Sequence, residues 1–251
     1  NMKHGELIFI LFYLSSFSSF AVSNHPVMDT TQYSVSIGVS RIIYNLDSNG
    51  ATFRVDNKQD YPILVRSRVL TEEHKVNKDF IITPPLFRLS ENNENTLQVH
   101  RVGGVFPDNK ESLAWLCIKG IPPKEDDLWV GKNAPNSSSK KSLSLNIQMS
   151  VETCIKMFIR PKSLSGTSTD YAGEVKWSSK DGVLVAYNNS PFYINLTNIK
   201  VDGVKISPDY IPPMSYRSIK TKQNIVKGMN VSWQAINDYG GDSNEFSAKV
   251  S

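Results

Sequence analysis

Few residues in this chain are of a type and spacing that could do chemistry, and the two cysteines come first. Cys117 and Cys154 are the only cysteines in 251 residues. Neither has a histidine nearby, and structural zinc takes about four ligands, so no metal or cofactor is expected. His25, His74 and His100 fall in a tail, a polar loop and a strand pattern. Nothing around them forms a Gly-x-Ser-x-Gly elbow or a His-Glu-x-x-His pair, so no enzyme is expected. Arg41 and Lys156 sit in strand patterns, where an isolated cation is ordinarily a solvated charge.

The reading of the cysteines depends on compartment. Lys3 precedes an apolar run, Leu7 to Leu14, and a Ser/Phe-rich stretch ends in Ala21-Val22-Ser23. That is the pattern of a secretory signal cleaved after Ser23. The run is short against the roughly 20 apolar residues of a spanning helix. In an oxidising compartment a lone cysteine pair is read as bridged. A Cys117–Cys154 bridge would stabilise by about 3–4 kcal/mol in the chain-entropy model.

Hydrophobic residues make up 39% of the chain and charged residues 21%, enough apolar content for a packed core. The net charge of +4 is spread along the chain and leaves no footprint for nucleic acid.

The element that must position any site is the stretch Leu143–Arg160. Its odd positions from Leu143 to Ile159 are apolar except Thr153, and most of its even positions are polar. That period of two is the mark of a strand with one apolar face. Strands usually run about five or six residues, so this one, read as continuous, is too long for an ordinary sheet neighbour. Part of it is expected to pair with another molecule.

Around it the pattern is strands and turns. Tyr33–Ile37 alternates, and Gly38 marks a bulge or a switch between sheets before Arg41–Tyr44. Strands are expected at 51–55, 63–70, 80–83, 86–89, 96–102 and 111–119, with turns at Asp47–Gly50 and Asn92–Asn95. The stretch 122–141 reads as a long polar loop. Past Pro161, residues 164–169 read as a polar linker, followed by a second, shorter set of strands. The expectation is an all-β chain of two β-sandwiches, 24–160 and 161–251, the first with about seven strands.

Several segments together resemble the periplasmic chaperones of the chaperone–usher pathway. They are Ser40-Arg-Ile-Ile-Tyr44, Thr83-Pro-Pro-Leu-Phe-Arg-Leu89, Trp115 to Pro123, Cys154-Ile-Lys156 with Arg160-Pro161, and Asn189-Ser-Pro-Phe-Tyr193. The long loop and the two cysteines look like the long-loop subfamily, which serves capsule-like fibres and simple adhesins. The resemblance implies two immunoglobulin-like domains in an L, or boomerang, arrangement, in the periplasm. It implies donor-strand complementation, in which the chaperone fills the groove of an incomplete fibre or pilus subunit with its own edge strand and passes the subunit to an outer-membrane usher. Carried over by position, the donor residues are Leu143, Leu145, Ile147, Met149 and Val151. Arg41 and Lys156 match the cleft pair that binds the subunit's terminal carboxylate. Tyr33, Val35 and Ile37 are implied as a second edge strand, with ordinary sheet core the alternative for the same three. The sequence Asn188-Asn189-Ser190-Pro191 departs from the family's Asn-Pro-Ser/Thr-Pro form at its second position, which leaves that turn open.

The competing class is a secreted fibre subunit or adhesin, also all-β and disulfide-bonded. Such subunits usually have one pilin domain with an amino-terminal donor extension, whereas the long alternating strand here closes the first of two domains. An exposed apolar edge also invites a self-capping homodimer or oligomer when the chain is free.

Overall fold

A computed structural model describes residues 27–122 and 144–251. The expected leader, the 124–141 loop and Leu143 lie outside the described residues.

The first sandwich contains β1 (Val27–Tyr33), β2 (Ser36–Ile37), β3 (Arg41–Asn45), β4 (Ala51–Asn57), β5 (Ile63–Thr71), β6 (Phe80–Thr83), β7 (Leu86–Leu89), β8 (Asn93–Arg101), β9 (Ser112–Ile121), β10 (Ser144–Ser150) and β11 (Glu152–Arg160). A four-stranded sheet, β2-β4-β8-β6, faces a five-stranded one, β3-β11-β9-β5-β7. Between them Phe53, Val55, Ile63, Val65, Leu97, Leu116 and Met157 form part of one buried cluster. Alternation explains why these segments are strands. In β5, Ile63, Val65 and Val69 are buried while Arg66 is exposed, the pattern of a sheet with one face in the core.

Eleven strands lie among the described residues of this sandwich, against about seven expected; Leu143–Arg160 is two strands, and β1 lies largely ahead of the expected Tyr33–Ile37. Gly38 marks a switch between sheets, with β2 paired to β4 and β3 paired to β11. The turn expected at Asn92–Asn95 is confined to Asn92, whose φ is +48°, and β8 already pairs at Asn93 with Asn57.

The single strand expected over Leu143–Arg160 is two strands, broken at Val151. β10 leaves the sandwich and pairs in parallel with β1, from Val27↔Ser144 to Tyr33↔Ser150. β11 stays in the sheet between β9 and β3. Gly120 of β9 sits at the crossing. Its N–H donates to the Val151 carbonyl at 3.0 Å, and the Val151 N–H donates to the Tyr33 carbonyl at 3.1 Å. Ser150 Oγ donates to the Gly120 carbonyl at 2.6 Å. A Cβ at Gly120 would collide with the Tyr33 carbonyl, so only glycine lets the three strands approach this closely.

The second sandwich contains β12 (Lys176–Lys180), β13 (Val183–Asn188), β14 (Ile194–Val201), β15 (Val204–Lys205), β16 (Asp209–Ile211), β17 (Ser215–Ile219), β18 (Asn230–Ala235) and β19 (Phe246–Lys249). Sheet β12-β13-β17 faces sheet β15-β14-β18-β19, with β16 on β14. Trp177, Leu184, Leu196, Ile199 and Trp233 lie in its core. The expected polar linker instead runs into a one-turn helix, Ser168–Tyr171, because Thr167 and Asp170 close a capping box at its start.

The turn left open at Asn188–Pro191 forms without the family's proline. Asn188 Nδ2 donates to the carbonyls of Phe192 and Pro212 at 2.7 and 3.0 Å, and its Oδ1 accepts from the Ser190 N–H at 2.9 Å. Asn189 is exposed and its side chain is not part of this network.

Candidate functional site

β11 carries the site. Its odd residues Ile155, Met157 and Ile159 are buried in the first core. Strand alternation therefore turns Lys156, Phe158 and Arg160 to the other face, toward the second domain. No register shift interrupts the β11–β9 pairing from Glu152 to Ile159.

Arg41 and Lys156 are direct register partners across the parallel β3–β11 pair, although 115 positions separate them in sequence (156 − 41). Lys156 Nζ donates to Asn195 Oδ1 at 2.9 Å and lies 4.8 Å from the Tyr210 ring centre and 5.8 Å from that of Trp115. Arg41 Nη1 donates to the Ile236 carbonyl at 3.5 Å, and its buried Nε has no partner among the described residues. Burial is the main cause that lowers both pKa values, and Arg41 adds to it at Lys156, which falls from 10.5 to about 8. Two cations thus lie side by side, partly desolvated.

The acids around them are engaged elsewhere. Arg160 grips Asp238 with two nitrogens at 2.7 and 2.9 Å and Glu111 at 2.7 Å. Glu111, whose side chain is 1% exposed, also accepts from the Tyr193 N–H at 2.9 Å. These contacts tie the two domains together beside a small apolar cluster of Leu113, Phe158 and Tyr193. Burial raises the Glu111 pKa, and Arg160 opposes that rise. The cleft therefore offers two cations that, among the described residues, form no ion pair of their own, over an aromatic floor, an arrangement suited to a carboxylate.

Matches to known families agree in register with both domains. Residues 34–165 match the family described as "Pili and flagellar-assembly chaperone, PapD N-terminal domain", and residues 170–247 match "Pili assembly chaperone PapD, C-terminal domain". The chain belongs to the PapD-like pilus-assembly chaperones. Among its relatives, the chaperone protein caf1M of Yersinia pestis is 40% identical over 245 residues, covering 96% of this chain and 95% of that protein. The chaperone AfaB of Escherichia coli is 46% identical over 187 residues, covering 74% and 75%. Of solved structures, the E. coli chaperone DraB is 40% identical with a TM-score of 0.75, covering 89% of this chain and all of that one. A Salmonella enterica SafA pilin in complex with the SafB chaperone gives 33% identity and a TM-score of 0.77, with 89% and 100% covered. The protein is thus a chaperone rather than an enzyme, and the fibre-subunit alternative is set aside.

In this chaperone, Leu145 and Met149 of β10 are 53% and 50% exposed, while Ile147 and Val151 are half-buried. Cys117 and Cys154 are bridged, directly opposite each other in the β9–β11 register. Of the three residues read as a second edge strand or as sheet core, Tyr33 and Val35 are buried in the chaperone's own core and Ile37 packs against it, while Tyr33 also closes the pairing with β10. The strand that lies beside β10 is β1, which ends at Tyr33 and in which Met28 is 62% exposed. The sequence reading gave Asn195, Tyr210 and Asp238 no role. Each looks like an ordinary polar or aromatic residue in its own segment, and only folding of the second domain against β11 brings them to the cleft.

Proposed function

We propose that this chaperone captures an incomplete fibre or pilus subunit by lending it β10, and delivers the captured subunit to an outer-membrane usher. Leu143, Leu145, Ile147, Met149 and Val151 fill successive pockets of the subunit, and Arg41 and Lys156 hold its terminal carboxylate. The observation that carries this reading is the pair of unneutralised cations, Arg41 and Lys156, at the root of a strand whose Leu145 and Met149 face outward. Burying five such side chains at about 1.5–3 kcal/mol each gives on the order of 10 kcal/mol of gross stabilisation, before ordering costs are subtracted. The carboxylate anchor sets the register of a strand whose alternation alone permits two-residue slips.

In this reading the second edge is β1, which flanks β10 in parallel. The protein works in the periplasm after loss of residues 1–23, with 24–160 and 161–251 as its two domains. With no subunit bound, the outward Met28, Leu145 and Met149 are an aggregation hazard, and a second copy of the chain covers them in a self-capping homodimer or oligomer.

The test is co-expression with the fibre subunit encoded beside it. The wild type is expected to purify as a 1:1 complex. Ile147→Asp and Lys156→Ala are each expected to abolish that complex while the chaperone stays folded. Normal recovery of complex from both variants would overturn the reading.

A further inference from the structure

Among the described residues the side chains that Lys156 touches, Asn195, Tyr210 and Trp115, are neutral, although acids lie close by. Its ammonium donates to Asn195 Oδ1 at 2.9 Å, and Asn195 is only 3% exposed, so water cannot readily replace that bond. Every neighbouring acid among the described residues is bound by something other than the cleft cations. Glu111 and Asp238 are held by Arg160. Glu72 accepts from the hydroxyls of Tyr193 and Tyr210 at 3.0 and 3.3 Å. Asp209 lies 3.8 Å from Arg217 Nε. Arg217 is fixed in turn by donating to the Tyr210 carbonyl at 2.9 Å, and its guanidinium carbon is 4.4 Å from the centre of the Tyr210 ring. The Lys156 ammonium approaches that same ring at 4.8 Å. Asp209 is therefore adjacent to Lys156 through Tyr210, and Arg217 is the cation that engages it.

We infer that Asn195 and Arg217 are specificity determinants of the cleft, which keep the Arg41–Lys156 pair free for an incoming carboxylate. Asn195 gives the ammonium an acceptor that carries no charge. Arg217 is the cation beside Asp209, whose Oδ1 also accepts from the Tyr210 N–H at 2.7 Å. The inference rests on the reading of Arg41 and Lys156 as the anchor for the subunit's terminus. An aspartate at 195 is nearly isosteric with the asparagine and would put a carboxylate within hydrogen-bond reach of the ammonium. It would form an ion pair with the ammonium, a Coulombic attraction that the neutral amide lacks, so the built-in acid would occupy Lys156 and repel a second carboxylate. Removing the Arg217 guanidinium would leave Asp209 on the Tyr210 N–H, with its charge no longer offset and acting on the same ammonium.

The experiment uses the full chaperone and two synthetic peptides of alternating apolar sequence, identical except that one ends in a free carboxylate and the other in an amide. Affinities are read by calorimetry. The wild type is expected to prefer the free acid by at least about tenfold, the worth of one charge-assisted contact. Asn195→Asp is expected to bring that ratio to about one, and the neutral Asn195→Ser to retain the preference. Arg217→Met, read the same way, is expected to lower the ratio and decides the matter should Asn195→Asp fail to fold. A wild type indifferent to amidation overturns the anchor reading and this inference together. A wild-type preference that survives in Asn195→Asp, or in Arg217→Met where the first variant does not fold, overturns this inference alone.

Discussion

The cleft lysine is expected to cost the free chaperone stability, so Lys156→Met should make the protein harder to unfold. The Lys156 pKa falls from 10.5 to about 8, through burial first and the Arg41 charge second. At about 1.4 kcal/mol per pH unit, that corresponds to an upper bound of about 3 kcal/mol for keeping the ammonium charged in the fold. The group is half-buried, and solvent screening reduces the figure to about 2 kcal/mol. Methionine keeps the length and apolar stem of lysine but gives up the Asn195 bond and the contacts with Tyr210 and Trp115, at about 1 kcal/mol. The net expectation at pH 7 is a gain of about 1 kcal/mol, or about 2–4 °C in Tm for a chain of this size.

The pH dependence supplies the sharper assay. Below about 8 Lys156 is charged in both states, and the wild type bears the full penalty. As pH rises from about 8 toward 10.5, the folded state loses its proton before the unfolded state does, so the wild type gains stability relative to the variant. Melting curves at pH 7 and pH 10 should show the variant's advantage at pH 7 and a smaller one at pH 10. Lys162→Met, at a side chain 82% exposed, is the control and should show neither effect. A Lys156→Met protein that melts at or below the wild-type temperature, or an advantage that does not move with pH, would refute the claim that the cleft holds this charge against a desolvation cost.

Two further perturbations address how β10 is held. Gly120→Ala should push the Tyr33 carbonyl away and detach β1 from β10. Overpacking of this kind costs about 1–3 kcal/mol, so hydrogen exchange at Met28–Tyr33 should accelerate by about 5- to 150-fold while the second domain is unchanged; uniform acceleration along the chain would contradict this. Removing the Cys117–Cys154 bridge, whose cysteines are 37 positions apart, should destabilise the first domain by about 3–4 kcal/mol in the chain-entropy model. Subunit capture should fall further than the stability of the second domain, and equal loss in both domains would make the bridge a general staple.

What the sequence could and could not reveal follows from the range of the forces involved. Alternation is local, so Leu143–Ile159 announced itself as strand, and parity alone put Lys156 opposite Ile155 and Met157, the arrangement found in β11. The break at Val151 has no local signal, because valine suits a strand and the parity of the alternation continues through it. Its cause is the convergence of Tyr33, Gly120 and Val151, brought together from three distant segments. The same distinction explains why Tyr33 and Val35 were open to two assignments. An alternating pair looks identical whether its apolar face meets the chain's own core or a partner, and the choice is made by the sheet switch at Gly38. The charge pattern of the cleft was the least legible feature of all. Composition records a net charge of +4 but not which acids are already taken; Arg160 reaches Asp238 only after the second domain folds against β11, and Arg217 meets Asp209 only once β16 and β17 come together within that domain. The site is therefore defined as much by acids that have been removed from it as by the two cations that resemblance could point to. A family motif can transfer Arg41 and Lys156, but their availability to a carboxylate is a property of the assembled cleft.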